Sequence, residues 1–182
     1  MKRERIIIID AQKDFVNPEG AYAQKHPGIT QILDAKNRIN NLLESLDKEL
    51  FVIIRADYKP DQFENGVSMC IPNTPGHEID IKADECFNMF TKTEHSAFSS
   101  EAFKEYAGAN EIETLILTGF LAEYCVKQTA LDALNAGYHV YLLEDCIGTG
   151  DDVQIRKELT LSELEQKGAK ILNSRELLRI IK

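Results

Sequence analysis

The 182 residues are 43% hydrophobic and 28% charged, the balance of a folded domain and not of a disordered tail or a fibre. A net charge of -9, with no dense cluster of Lys and Arg, argues against non-specific binding to nucleic acid or to an anionic membrane. At this length roughly 70% of the unfolded chain's surface can be buried, so a single domain over residues 1–182 is expected to form its core without disulfides or a structural metal.

Arg5 to Asp10 is predicted as a buried strand, because Ile6 to Ile9 form an uninterrupted β-branched run. That run falls far short of the roughly 20 apolar residues a membrane helix needs. The N-terminus also lacks the pattern of a secretory signal, so a cytoplasmic location is expected. A helix follows from Ile32, with Ala35, Ile39, Leu42, Leu43 and Leu46 on one apolar stripe. Phe51 to Ile54 is the next strand, leading to Arg55, Ala56 and Asp57. Lys59 to His77 contains Pro and Gly, shows no period and reads as a long loop. Phe87 to Thr91 resumes the series, followed by a short helix from Glu101 to Tyr106 and a strand from Thr114 to Thr118. A helix then starts near Glu123, with Val126, Ala130, Ala133 and Leu134 on its apolar face. Val140 to Leu143 is a strand, Val153 to Gln166 a helix, Ala169 to Leu172 a last short strand and Arg175 to Ile181 a closing helix.

This alternation predicts the α/β class, a three-layer α/β/α sandwich around a mostly parallel, roughly six-stranded, Rossmann-like sheet. Ligands in such sheets gather outside the carboxyl ends of the strands. The rule points to Asp10, Asp57, Lys92 and the segment from Gly119 to Cys125.

Several familiar α/β motifs are missing. No G-x-G-x-x-G follows the first strand, and neither a G-x-x-x-x-G-K-[ST] loop nor a G-x-S-x-G elbow occurs. Gly148-Thr149-Gly150 reads as a strand-to-helix turn. The cysteines at 70, 86, 125 and 146 make no C-x-x-C and no zinc-like pairing. Cys70, Cys86 and Cys146 read as small buried hydrophobes. Cys125 falls in the first turn of a helix that follows a strand, where backbone N–H groups favour a thiolate. It also reads as a small buried hydrophobe, and the residue pattern leaves both open. Asp10 is equally readable as a helix cap or loop acid, and Lys92 as a surface charge.

Three ordered segments together carry a resemblance. They are Ile9-Asp10-Ala11-Gln12-Lys13-Asp14-Phe15, then Thr91-Lys92 ahead of Ser96-Ala97-Phe98, then Gly119-Phe120-Leu121-Ala122-Glu123-Tyr124-Cys125-Val126 with Thr129-Ala130 and Asp132-Ala133. From first strand to last helix the chain resembles the isochorismatase-like cysteine hydrolase superfamily, on its nicotinamidase-like branch. The resemblance implies a triad of Asp10, Lys92 and Cys125. Cys125 would attack a carbonyl carbon, Asp10 would take and return the proton, and Lys92 would supply a fixed positive charge. It further implies an oxyanion hole from the backbone N–H groups of Leu121 and Cys125 and a cis peptide between Phe120 and Leu121. Phe15, Phe98 and Tyr124 are candidate pocket walls.

The departures from that family pattern matter equally. Nicotinamidase-type members hold a divalent metal with an Asp-x-His segment and a further His before a Cys. Here the corresponding residues are Asp57-Tyr58-Lys59 and Met69-Cys70. An ammonium and a thioether are poor ligands for such an ion, so no metal and no other cofactor is expected. Lys59 and Asp57 are instead candidates for the substrate pocket. The position of the family's loop Trp is taken by about Gly66, and the chain has no Trp. His77 and His95 lie near the expected site as substrate contacts or loop residues, while His26 and His139 remain unassigned. The segment Cys70-Ile71-Pro72-Asn73-Thr74-Pro75-Gly76 resembles the nicotinamidase-side loop and favours hydrolysis of a small amide. Vinyl-ether hydrolysis of the isochorismatase type and a catalytically silent binding protein are the alternatives. The implied partners are a small-molecule substrate and a second copy of the chain in a homo-oligomer.

Overall fold

Ile6 to Ile9 alternate between the two sides of a sheet, and both sides are covered. In the computed structural model, which describes residues 3–63 and 68–181, these four residues are fully or almost fully buried. Ile6 and Ile8 pack with Ile32, Ala35, Ile39 and Leu42 of helix α2 (Thr30–Ser45) and with Leu177 of α6 (Ser174–Ile181). Ile7 and Ile9 pack with residues of α3 (Glu101–Ala109), α4 (Lys127–Asn135) and α5 (Gln154–Gln166) on the other side. An uninterrupted apolar run is what a strand between two helical layers requires.

The strands are β1 (Glu4–Ile9), β2 (Phe51–Ala56), β3 (Asn88–Lys92), β4 (Thr114–Phe120), β5 (His139–Gly148) and β6 (Lys170–Leu172). All pair in parallel, in the order β3-β2-β1-β4-β5-β6. The chain builds outward from β1 to β3 and then returns to lay β4 on the free side of β1. The carboxyl ends of β1 and β4 therefore flank the point where the strand order reverses, which is where such sheets open a crevice. Among the described residues no helix is long and apolar enough to cross a membrane.

Several boundaries differ from the sequence expectation, and Cys86 is exposed where a buried thiol was expected. The strand predicted to stop at Leu143 continues to Gly148, although Glu144 and Asp145 interrupt its apolar pattern. A bulge between Leu117 and Gly119 shifts the β4–β5 pairing along this stretch. The helix expected near Glu123 opens as a wide π turn, Ala122–Val126, before α4 begins. A four-residue helix, α1 (Lys13–Val16), was too short to show a period. In the long loop after β2, the described residues between 59 and 77 hold one 3-10 turn, Pro75–His77.

Candidate active site

Register brings three strand ends level. Ile9 stands beside Ile54 and Gly119, and Ala56 beside Lys92. Asp10 leaves β1 with its N–H still donating to Ile54 O at 2.8 Å, and its backbone turns into the left-handed region at φ 54°. Asp is among the residues that tolerate that conformation. Gly119 has φ 113°, and a Cβ there would lie 2.1 Å from Ile9 O. Glycine is thus what lets the end of β4 close against the end of β1.

Asp10, Lys92 and Cys125 meet below this closure, all three buried. Lys92 Nζ lies 3.0 Å from Asp10 Oδ2 and 3.5 Å from Cys125 Sγ, and donates to Glu94 O at 2.9 Å. The ammonium also donates to the hydroxyl of Tyr58, which in turn is 3.4 Å from Sγ. Neither carboxylate oxygen of Asp10 has a well-aligned hydrogen bond among the described residues, so the acid keeps acceptor capacity for a proton. His95 Nδ1 is 3.7 Å from Sγ on the opening side.

The charges decide the resting state. Burial raises the pKa of Asp10, and the Lys92 charge pulls it back only in part. Burial also works against the charge on Lys92, but Asp10 and then Cys125 outweigh it, so the ammonium is held above its ordinary range. Burial, followed by the Asp10 charge, pushes the Cys125 thiol up to about 12 against the downward pull of Lys92. The helix-start position left a thiolate and a buried thiol both open. In its setting the group rests as a thiol beside an ion pair. Burial lowers the pKa of His95, helped by Lys92, which keeps the imidazole neutral.

The buried pair makes a stability prediction. Lys92→Met leaves the Asp10 carboxylate without its counter-ion, a loss of about 3 to 5 kcal/mol by analogy with other broken buried pairs. Burial is then opposed only by the contact with Cys125, so the folded pKa of Asp10 rises further above the unfolded value. The folded form accordingly gains by binding a proton, and the deficit grows as pH rises from the unfolded carboxylate range through the raised folded value. Urea midpoints of variant and parent across that range test this, and equal stability at neutral pH would contradict it.

Above the triad opens a cleft of about 570 Å³. Phe15 and Tyr124 line it together with Leu121 and Cys125, and the Phe120–Leu121 peptide is cis. Among the described residues, no backbone carbonyl accepts from the Leu121 N–H. His95, His26 and Met69 also line it, whereas the other candidates for the substrate pocket lie elsewhere. Phe98 packs edge-on against Phe103 and tilted against Tyr138. Asp57 is held by His77, with Arg55 3.9 Å away, in a separate surface groove. Lys59 is exposed at the chain turn beyond it, where its N–H donates to the Gln62 side chain. Gly66 is outside the described residues.

The cleft also contains residues that the sequence did not single out: Tyr58, Phe63, Lys25 and Arg156. Tyr58 follows β2 by two residues, so the strand-end rule that pointed to Asp57 stopped one position short. Lys25 and Arg156 come from segments far apart in the chain and carried no signal. The residues at the family's metal positions do not fit an ion. Asp57 is already engaged, Lys59 carries a positive charge, and no three His, Cys, Asp or Glu side chains converge among the described residues.

Comparison with known proteins gives a consistent family. Residues 4–176 match the model of the isochorismatase domain. The isochorismatase family protein YrdC of Bacillus subtilis is 26% identical over 97% of this chain and 95% of its own length. The crystal structure of the pyrazinamidase of Pyrococcus horikoshii in complex with zinc superposes with a TM-score of 0.75 at 28% identity, covering 94% of this chain and 99% of that one. The streptothricin hydrolase of Streptomyces noursei is 27% identical over 81% of this chain and 50% of its own length.

Proposed function

This chain belongs to the isochorismatase family of hydrolases, and from that membership we propose that it is a cysteine amidohydrolase, cleaving the C–N bond of a small amide through a thioester on Cys125. One observation carries the reading: a carboxylate, an ammonium and a thiol from three strand ends meet at the cleft floor, with Nζ 3.0 Å from Oδ2 and 3.5 Å from Sγ. The pyrazinamidase and streptothricin hydrolase among its relatives support amide cleavage as the reaction class. Vinyl-ether hydrolysis by acid catalysis needs no cysteine, so a thiol set against a base favours the amide.

The steps follow from the charges. Cys125 Sγ bonds to the amide carbon as its proton passes to Asp10, so the thiolate forms only as it is consumed. The carbonyl oxygen becomes an oxyanion within reach of the Leu121 and Cys125 N–H groups, each such donor stabilising the transition state by about 3 kcal/mol. The C–N bond breaks while Asp10 returns the proton to the departing nitrogen, leaving a thioester. Water then adds to the thioester carbon and gives a proton to Asp10. The C–S bond breaks, the acid leaves, and the proton goes back to sulfur. Lys92 keeps Asp10 ionised between steps.

Ammonia release from a panel of primary amides, with hydroxylamine added to trap the acyl group and mass spectrometry of the Cys125 peptide, tests the proposal. Acylated Cys125 and hydroxamate are expected. Release of product with no acyl group ever found on sulfur would rule the mechanism out. Chelator-treated enzyme is expected to keep its full rate, because no step uses an ion. A large loss restored by zinc or manganese would show a metal held by other ligands.

A further inference from the structure

The cleft above the triad is lined by two fixed cations, Lys25 and Arg156, and by no Asp or Glu among its described residues. That contrast matters in a chain of net charge -9, which repels anions at long range. Two acids stand nearby, and Glu123 keeps one buried carboxylate oxygen, Oε2, without a hydrogen-bond partner among the described residues. Glu123 lies 3.6 Å from Arg156, is nine-tenths buried and accepts from Thr149 Oγ1 at 3.1 Å. Asp152 contacts His26 at 2.7 Å, with His26 stacked on Tyr22. Neither acid lines the cleft. Arg156 is half exposed and carries donors beyond those its loose contact with Glu123 can use. No ion pair engages Lys25 among the described residues.

Much of the rest of the wall is made of aromatic rings. The rings of Phe63 and His95 stack at 4.7 Å with 15° between their planes, and Tyr124, nearly half exposed, lies 5.6 Å from His95. His95 in turn touches Sγ. A planar group lying along these rings carries its amide to Cys125, and the cations stand on the same cleft lining.

Resting on the amidase reading, we propose that the substrate is a small planar amide bearing a carboxylate, recognised by Lys25 and Arg156. Of the nicotinamidase metal positions, Asp57 and Lys59 are off this lining, and Met69, which is on it, carries no charge to offer an anion. The anion-binding groups of this chain come from other segments, and the Lys59 ammonium is not one of them.

The test reads binding separately from turnover. Protection of Cys125 from iodoacetamide is measured with benzamide, its meta-carboxylate and its meta-aminomethyl analogue, which share ring and amide and differ in charge. The carboxylate is expected to protect about tenfold more tightly than the neutral amide, the scale of a partly exposed ion pair shared by two cations, and the aminomethyl compound least. Raising the salt should shrink the preference. Lys25→Gln with Arg156→Gln should remove it, while Arg156→Lys keeps part of it. The alkylation rate without ligand reports whether each variant retains its site. Equal or tighter protection by the neutral or cationic amide would overturn the proposal while leaving amide hydrolysis intact. The expected protection order without ammonia release from any amide would instead overturn the amidase reading and leave the anion site standing.

Discussion

Cys125→Ala is expected to lower amide turnover by at least about 10^4-fold, the scale seen when a covalent nucleophile is removed from a site whose parts act together. The reason is specific to this arrangement. Asp10 and Lys92 supply a base and a positive charge but no nucleophile of their own, so without the sulfur no thioester can form. The fold should survive. Cys125 lies on the cleft lining, so loss of the sulfur widens an open space and does not seal a cavity in the core. The Asp10–Lys92 pair keeps both members and its 3.0 Å contact. The measurement pairs steady-state ammonia release with a urea midpoint. A variant that is folded and retains a rate within tenfold of the parent would remove the thioester from the mechanism. A variant that is folded and silent, with parent enzyme showing acyl-Cys125, is the expected result.

Much of this site could be read in the sequence because parallel sheets put chemistry at strand ends. Ile6 to Ile9 declare a doubly covered strand, so Asp10 stands out as the charge that ends it. Lys92 and the Gly119 to Cys125 segment follow from the same rule, and the register brings all of them together. What the sequence hid depends on three-dimensional neighbours. Phe98 belongs to the pattern around Ser96 and Ala97, yet its ring turns to Phe103 and Tyr138 and packs, partly buried, against the core. Asp57 ends β2 as Asp10 ends β1, but its carboxylate is engaged by His77 from the distant loop, and it is the next side chain, Tyr58, that reaches sulfur. Strand parity decides between the two, and one residue of uncertainty at a strand end reverses the choice. Lys25 and Arg156 lie 131 positions apart by their numbering and share a cleft only because both flank the carboxyl edge of the sheet. No local pattern marks such a pair.

Asp10→Asn should produce a protein whose cysteine reacts faster and whose turnover fails, and the two effects share one cause. In the parent, burial comes first in holding the Cys125 thiol high, and the negative charge of Asp10 comes second. Asn keeps the shape and removes that charge, so the thiol pKa must fall. Lys92 reinforces the shift. It is fully buried, its counter-ion is gone, and Sγ at 3.5 Å is a group that can supply a negative charge in its place. At neutral pH, well below a pKa of about 12, each unit of fall raises the thiolate fraction about tenfold. The accompanying loss of intrinsic nucleophilicity is smaller, about half as steep on a logarithmic scale. Iodoacetamide should therefore label Cys125 several-fold faster in the variant, and the midpoint of the rate against pH should move to lower pH. Catalysis moves the other way. Asn cannot take the thiol proton nor return one to the leaving nitrogen, and loss of a general acid–base group costs about 10^2 to 10^4-fold. The pairing of a livelier thiol with a dead enzyme separates proton transfer from simple thiolate stabilisation. If labelling of Cys125 is instead slower in Asp10→Asn than in the parent, then the carboxylate assists ionisation at rest, and the assignment of Asp10 as the shuttle between thiol and amine is wrong.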